Sequence, residues 1–230
     1  MSTLKQCLHF DPDSKPCLVL HRLQKKLDKM FAQLEELIAK EDWRGIVKLV
    51  VSPGGAKNGD LWNKWEEAMN DNMTEDKIFP LVPPELIKSY GKTKKLPRIP
   101  MPNAAKSSPQ RQHLVRTVCK AYTNLASAAP SSSTYAKQTT HWCELLLTLN
   151  SCSEDVDGMV GKSIGLMAAH EYEEAVRVLE KAFEVGGRSD AKVMQRLNEA
   201  RRRLKVSKQK DYYKILGVDK SADAKTIKKA

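Results

Sequence analysis

The residues best suited to chemistry in this chain are its five cysteines, Cys7, Cys17, Cys119, Cys143 and Cys152. None forms a Cys-x-x-Cys pair, which argues against a zinc ribbon or a thioredoxin-type redox site. His141 and Cys143 in H-W-C stand close together with no second pair of ligands nearby, so no metal site is expected. Gly161-Lys162-Ser163 has the look of the end of a phosphate-binding loop. The first glycine of such a loop would fall at Val156, and no strand pattern precedes it. Glu35-Glu36 and Glu66-Glu67 are adjacent carboxylates, which point apart on a helix and are expected to be solvated. No Ser-His-Asp order with elbow glycines and no His-x-x-x-His pair occurs. The reading is of a protein that is not an enzyme and that uses no cofactor, nucleotide or metal.

Charge is the second feature. Of the net +11, the stretch from Arg188 to Ala230 supplies most, with 14 Lys/Arg against 5 Asp/Glu. Such a tail could attract nucleic acid, an anionic membrane or an acidic protein surface; the bland reading is a solvated helix face. It has no interleaved aromatic stacking platform and no zinc module, so nucleic acid is not expected as a partner. No run of about 18 apolar residues is present, so no membrane span is expected.

The elements that must position these residues are helical. Leu20, Leu23, Leu27, Met30, Leu34, Leu37 and Ile38 recur at steps of three and four, which predicts a helix from Leu18. A very short turn then leads into R-G-I-V-K-L-V-V, making an antiparallel hairpin that ends near Val50. Between Ser52 and Pro109 lie eight of the eleven prolines. This region reads as an insertion or linker, in which L-W-N-K-W-E-E-A-M could form one short helix. Lys92 to Ser108 is expected to be mobile or extended. Further helices are predicted over Gln112–Ala128, Tyr135–Leu149, Asp155–Ala169, Tyr172–Val185 and Ser189–Ser207. Gly186-Gly187 ends the fourth of these.

The stretch H-E-Y-E-E-A-V-R-V-L-E-K-A-F-E-V-G-G, from His170 to Gly187, carries an aromatic at Tyr172, a small residue at Ala175, a bulky one at Leu179 and a small one at Ala182. It resembles the second helix of a tetratricopeptide repeat (TPR). Small residues at that spacing let two helices approach, and large ones fill the groove between hairpins. Met159, Ser163 and Leu166 fall at the buried positions of the first helix. A weaker copy puts Trp43 in the aromatic slot, with Ile46 where the small residue belongs. Val118 to Leu149 reads as another hairpin whose turn is stretched by A-A-P-S-S-S. Cys7 to Ser14 reads as the end of yet another repeat, with Cys7 in the last small slot and Pro12 as the terminating proline.

The last residues, D-Y-Y-K-I-L-G-V-D-K-S-A-D-A-K-T-I-K-K-A from Asp211, resemble the start of a J domain, the module of DnaJ-type co-chaperones. The resemblance places Tyr213, Leu216 and Ile227 in that module's core. It turns Lys228 and Lys229 towards a DnaK/BiP-class ATPase chaperone. The His-Pro-Asp loop that stimulates ATP hydrolysis in that family does not occur in these 230 residues.

Repeats followed by a J domain across a basic helix make the chain similar to the endoplasmic-reticulum lumenal TPR and J-domain co-chaperones. The resemblance implies an all-α fold of TPR hairpins followed by the start of a J domain. Its divisions are a hairpin region over 1–50, the insertion over 51–110, repeats over 111–188, a basic connecting helix over 189–210 and a partial J domain over 211–230. It also implies unfolded or misfolded protein clients on the repeats, a BiP-type partner and residence in the lumen. The alternative is a repeat scaffold for protein contacts without chaperone stimulation. The family pairs cysteines around a repeat boundary, as Cys7 and Cys17 would here across a D-P-D turn. Closing such a loop contributes roughly 3 kcal/mol in the entropy treatment. Cys119 and Cys143, on the two helices of one hairpin, are the second expected pair, leaving Cys152 as a thiol. On this register both ends read as cut, which predicts an internal fragment or a truncated gene product.

Overall fold

The structure, a computed structural model, describes residues 3–51, 60–72, 108–129 and 132–208. These residues are all-α. In chain order the helices are α1 (Thr3–Phe10), α2 (Lys15–Ala39), α3 (Trp43–Val50), α4 (Leu61–Asn72), α5 (Pro109–Ala128), α6 (Ser133–Thr148), α7 (Val156–Ala168), α8 (Tyr172–Val185) and α9 (Ala191–Lys208). The partial J domain, with Tyr213, Leu216, Ile227, Lys228 and Lys229, lies outside the described residues, as does most of Lys92–Ser108.

Side-chain chemistry sets most of the starts. Asp42, Ser132 and Asp155 each accept a hydrogen bond from a backbone N–H in the first turn of α3, α6 and α7. Asp190 does the same for α9, accepting from Val193 at 3.3 Å. Helices α2 and α5 carry proline in the first turn, where no hydrogen-bonded N–H is needed. For that reason α2 starts at Lys15, three residues before the predicted Leu18.

The repeat is visible in the backbone. Leaving α2, Lys40, Glu41 and Asp42 donate to the carbonyls of Glu36, Ile38 and Leu37. Leaving α7, Ala169, His170 and Glu171 donate to Gly165, Met167 and Leu166 in the same order. Glu41 and His170 both take positive φ, 52° and 64°, at the equivalent place. Two residues later come the aromatics Trp43 and Tyr172, then Ile46 and Ala175, then Val50 and Leu179. The last four are all buried. Two distant segments thus share one turn and one packing register, the property of a helical repeat.

The hairpins α2–α3, α5–α6 and α7–α8 follow one another, and α9 packs on α8. Helix α5 packs on α3 behind it and α7 ahead of it. The larger core runs from α2 to α6 around Leu34, Ile46, Val50, Leu114, Val118 and Leu146. Smaller cores join α7, α8 and α9 around Leu179 and Leu197, and around Met159, Ala182 and Val193.

Part of the stretch read as an insertion belongs to the main core. Asp60 caps α4, taking Asn63 Nδ2 at 2.7 Å, and the helix buries Leu61 and Trp65 completely or nearly so. Trp62 meets Trp142 of α6 edge to face, with ring centroids 5.1 Å apart. Arg111 lies over the Trp62 ring at 5.4 Å and contacts Glu66 at 2.9 Å. Glu66 is therefore not the solvated carboxylate expected from its position. It is mostly buried against a cation because Trp62 and Trp65, just before it, draw α4 onto the repeats. Glu35 lies 2.8 Å from His113 Nε2, which joins α2 to α5.

Candidate functional site

Helix α2 divides its apolar stripe between two surroundings. Met30 and Leu34 enter the core, and Leu37 and Ile38 pack against it. Leu20 and Leu23, two to three turns earlier, line an open groove instead, and Leu27 between them and Met30 both lines the groove and packs against the core. Leu4 of α1, Trp65 and Met69 of α4, and Ser108–Gln110 at the start of α5 line it too. The groove holds about 1010 Å³. Its lining is largely apolar, and Gln24, Asp28, Ser108 and Gln110 are its polar residues. Phe10 and Val19, also on α1 and α2, are 85% and 62% exposed. Among the described residues, this open and largely apolar trough is a surface suited to an apolar polypeptide.

The cysteines fall in pairs. Cys7 of α1 and Cys17 of α2 are joined with Cα atoms 6.5 Å apart, and Cys119 of α5 and Cys143 of α6 with Cα atoms 4.9 Å apart. Both separations lie within the span of a disulfide. The first pair is half-buried and the second has no exposed surface. Cys152 is a buried free thiol in the turn between α6 and α7. Burial pushes its pKa up, and the nearby Arg116 guanidinium pulls it back. Arg116 itself binds Asp155 through both Nε and Nη2, at 2.9 and 2.6 Å. Asp155 therefore caps α7 and anchors it to α5 at once.

The repeat-packing residues come together as a set. Ala175, Leu179 and Ala182 are buried on the face of α8 that meets α7 and α9, while Tyr172 is half-buried. The Tyr172 hydroxyl lies 2.6 Å from His170 Nδ1, which ties the aromatic to the turn. Leu166, expected to be buried, is half-buried, whereas Met159 and Ser163 are buried.

The phosphate-loop likeness dissolves in the fold. Gly161 and Ser163 lie within α7, and the Ser163 hydroxyl donates to the Val160 carbonyl at 2.6 Å. Gly158, Gly161 and Gly165 form one face of α7 against Leu147, Cys143 and Thr140 of α6. The helix over Asp155–Ala169 was expected, and the three-and-four spacing of its glycines was a signal of close helix approach that the sequence reading did not use. His141 is exposed while Cys143 faces inward, so H-W-C does not converge. Among the described residues no cluster of three His, Cys, Asp or Glu could hold a metal ion. Among them, too, no helix is long and apolar enough to cross a membrane.

The basic helix α9 spends much of its charge internally. Arg201 contacts Glu180 at 2.7 Å, Arg202 and Arg203 share Glu199, and Lys208 reaches Glu173 at 2.6 Å. Arg196 donates to Ser127 Oγ at 2.7 Å, and burial lowers its pKa. These contacts fasten α9 to α8 and α5.

No family model matches the chain. It is 34% identical over 228 residues to a tetratricopeptide repeat and J domain-containing co-chaperone DNJ1 of Cryptococcus neoformans, covering 99% of this chain and 38% of that one. The DNJ1 co-chaperone of Mycosarcoma maydis is 30% identical over 227 residues, with 35% of its length covered. Human DnaJ homolog subfamily C member 7 is 52% identical over 64 residues, which are 28% of this chain and 13% of that one. Among solved structures, a P58(IPK) TPR domain aligns over 90% of this chain and 42% of its own, with a TM-score of 0.48 and 17% identity. The chain spans little more than a third of the fungal relatives it matches. Across nearly all of its own length, then, it is similar to fungal co-chaperones named for tetratricopeptide repeats and a J domain.

Proposed function

We propose that the chain is the client-holding repeat portion of a co-chaperone of the endoplasmic-reticulum lumen, ending in a J-type module that docks a BiP/DnaK-class ATPase chaperone. The observation that carries the client part is the open apolar groove between α1–α2 and α4. An unfolded client offers what this groove lacks, an extended strand of apolar side chains. Each side chain moved from water into the groove contributes about 1.5–3 kcal/mol at most. Two pairs of cysteines within bonding reach support an oxidising compartment such as the lumen. Lys228 and Lys229 are the chaperone-docking residues of this reading, with Tyr213, Leu216 and Ile227 as the module's core. No step of bond making or breaking is assigned to the chain.

The groove is tested by suppression of aggregation of a chemically unfolded protein. The wild-type chain is expected to delay aggregation, and Leu20→Asp with Leu23→Asp to abolish the delay while leaving the circular dichroism spectrum unchanged. Equal protection by the double variant would overturn the groove as the client site. Docking is tested by retention of a BiP-class chaperone on the immobilised chain at low and high salt. Lys228→Glu with Lys229→Glu is expected to remove the salt-sensitive part of that retention. A second reading, a scaffold for folded partners, has the same repeats in its favour. It predicts no discrimination between folded and unfolded forms of one protein, which the aggregation assay measures directly.

A further inference from the structure

We propose that the second half of α9 is an ionic zipper on α8, released by salt, so that this arm is held or freed without unfolding the repeats. Its meaning for chaperone docking rests on the reading of a J-type module after α9; the zipper itself does not. The contact of α9 changes character along its length. Val193, Leu197 and Ala200 are buried in the cores that α9 shares with α7 and α8. From Arg201 to Lys208, Leu204 is half-buried and every other residue is exposed, Val206 at 62%.

What holds this half, among the described residues, is mainly charge. Arg201 Nη2 meets Glu180 Oε1 at 2.7 Å, and Lys208 Nζ meets Glu173 Oε1 at 2.6 Å. The two cations stand seven residues apart on α9 and the two carboxylates seven apart on α8, in opposite order. Both pairs therefore belong to one antiparallel register with a two-turn step. Arg202 and Arg203 spend their charge on Glu199 within α9 and add nothing across the contact. A pocket of about 450 Å³ lies between the start of α8 and the residues Leu204, Ser207 and Lys208. Glu173 and Lys208 both line it, so their contact bridges an open space and not a packed seam. The hydrogen bond from Lys208, with Arg177 adding to it, holds the Glu173 carboxyl below the usual carboxylate range. Exposed ion pairs are weak and are screened by salt, whereas the burial of Val193 and Leu197 is not. Rising ionic strength thus loosens the second half of α9 first. Two turns of helix without tertiary contact open readily.

The test is amide exchange of the full chain, read by mass spectrometry at about 50 mM and about 500 mM sodium chloride. Exchange over Arg201–Lys208 is expected to be about threefold to tenfold faster at the higher salt, the size of two exposed ion pairs. Exchange over Ala191–Ala200 should not change. Glu173→Gln with Glu180→Gln should show the fast rate at both salt concentrations while Ala191–Ala200 stays slow. A reversed variant, with Glu173→Lys, Glu180→Arg, Arg201→Glu and Lys208→Glu together, should recover slow and salt-sensitive exchange. A mere change of helix propensity would not produce that recovery. Salt-independent exchange over Arg201–Lys208 in the wild type, or a reversed variant as fast as the double glutamine variant, would overturn the zipper. No chaperone enters the measurement. Failure of the docking reading, seen as no retention of a BiP-class chaperone, therefore leaves the zipper to be decided by exchange alone.

Discussion

Gly161 of α7 sits directly against the sulfur of Cys143 in α6. A Cβ built on Gly161 would collide with Cys143 Sγ and approach Thr123 Oγ1 at 3.0 Å. The close approach of α6 and α7 at the inter-hairpin contact depends on that missing methyl group. Gly161→Ala is expected to cost about 1–3 kcal/mol, because the Cys143 side chain is bonded to Cys119 and cannot swing aside. The shift in the urea midpoint measures it. Gly187→Ala provides the contrast. Nothing lies within 4 Å of its added Cβ, but its φ of 76° strains an alanine by about 1 kcal/mol.

Trp65 of α4 is 4% exposed and shares its core with Leu34 and Val50. Trp65→Ala should therefore destabilise the repeats by about 3–5 kcal/mol. Equilibrium denaturation followed at the far-ultraviolet helix signal checks this. A change below 0.5 kcal/mol, about the size of an ordinary surface substitution, would mean that α4 is dispensable to the fold.

Asp157, in the first turn of α7, has its pKa pushed up chiefly by burial. Lys120 and Arg116 pull it back, and the carboxylates of Asp155 and Asp190 push it further up. A carboxyl group raised in the folded state binds its proton more tightly there than in the unfolded chain. Its contribution to stability is full below the unfolded pKa, about 3.9, and is lost as pH rises through the folded value. Asp157→Asn is accordingly expected to stabilise the protein at pH 7 relative to the wild type. The difference should shrink towards pH 3. Thermal unfolding of both proteins at the two pH values gives the sign; a wild type more stable than the variant at pH 7 would show that the dipole of α7 outweighs burial.

Cys152 is 2% exposed, and burial holds its thiol above the usual cysteine range. Alkylation needs an accessible thiolate, so iodoacetamide should modify Cys152 roughly a hundredfold more slowly in the native chain than in urea. Peptide mapping at successive times measures this. Rapid native labelling would place the α6–α7 turn in a locally open state.

Much of the fold could be read from the order of residues because it follows from local rules. Periods of three and four marked α2, α5 and α8, and the aromatic and small residues of α8 identified one repeat register. Trp43 and Ile46 were placed correctly against Tyr172 and Ala175, since a repeat imposes the same turn wherever it occurs. The structure joins both expected cysteine pairs: Cys119 and Cys143 lie on the two packed helices of one hairpin, whereas Cys7 with Cys17 was expected from the family resemblance and the turn between them. The groove was not legible. Leu20, Leu23 and Leu27 continue the same stripe as Met30 and Leu34, and nothing along the chain separates the lining of an open trough from the core.

The chain alone determined most of the helical segments and which of their faces are apolar, because propensity and periodicity act over a few residues. Only the tertiary structure decided what each face meets. It drew Trp62 from a proline-rich stretch onto Trp142 and Trp65 into the main core, and set Glu66 against Arg111. It made Gly161, one residue of a predicted helix, the contact that lets α6 and α7 touch. Those outcomes depend on pairs far apart in sequence, whose meeting is settled by which apolar surfaces can be buried together, and no local pattern encodes that.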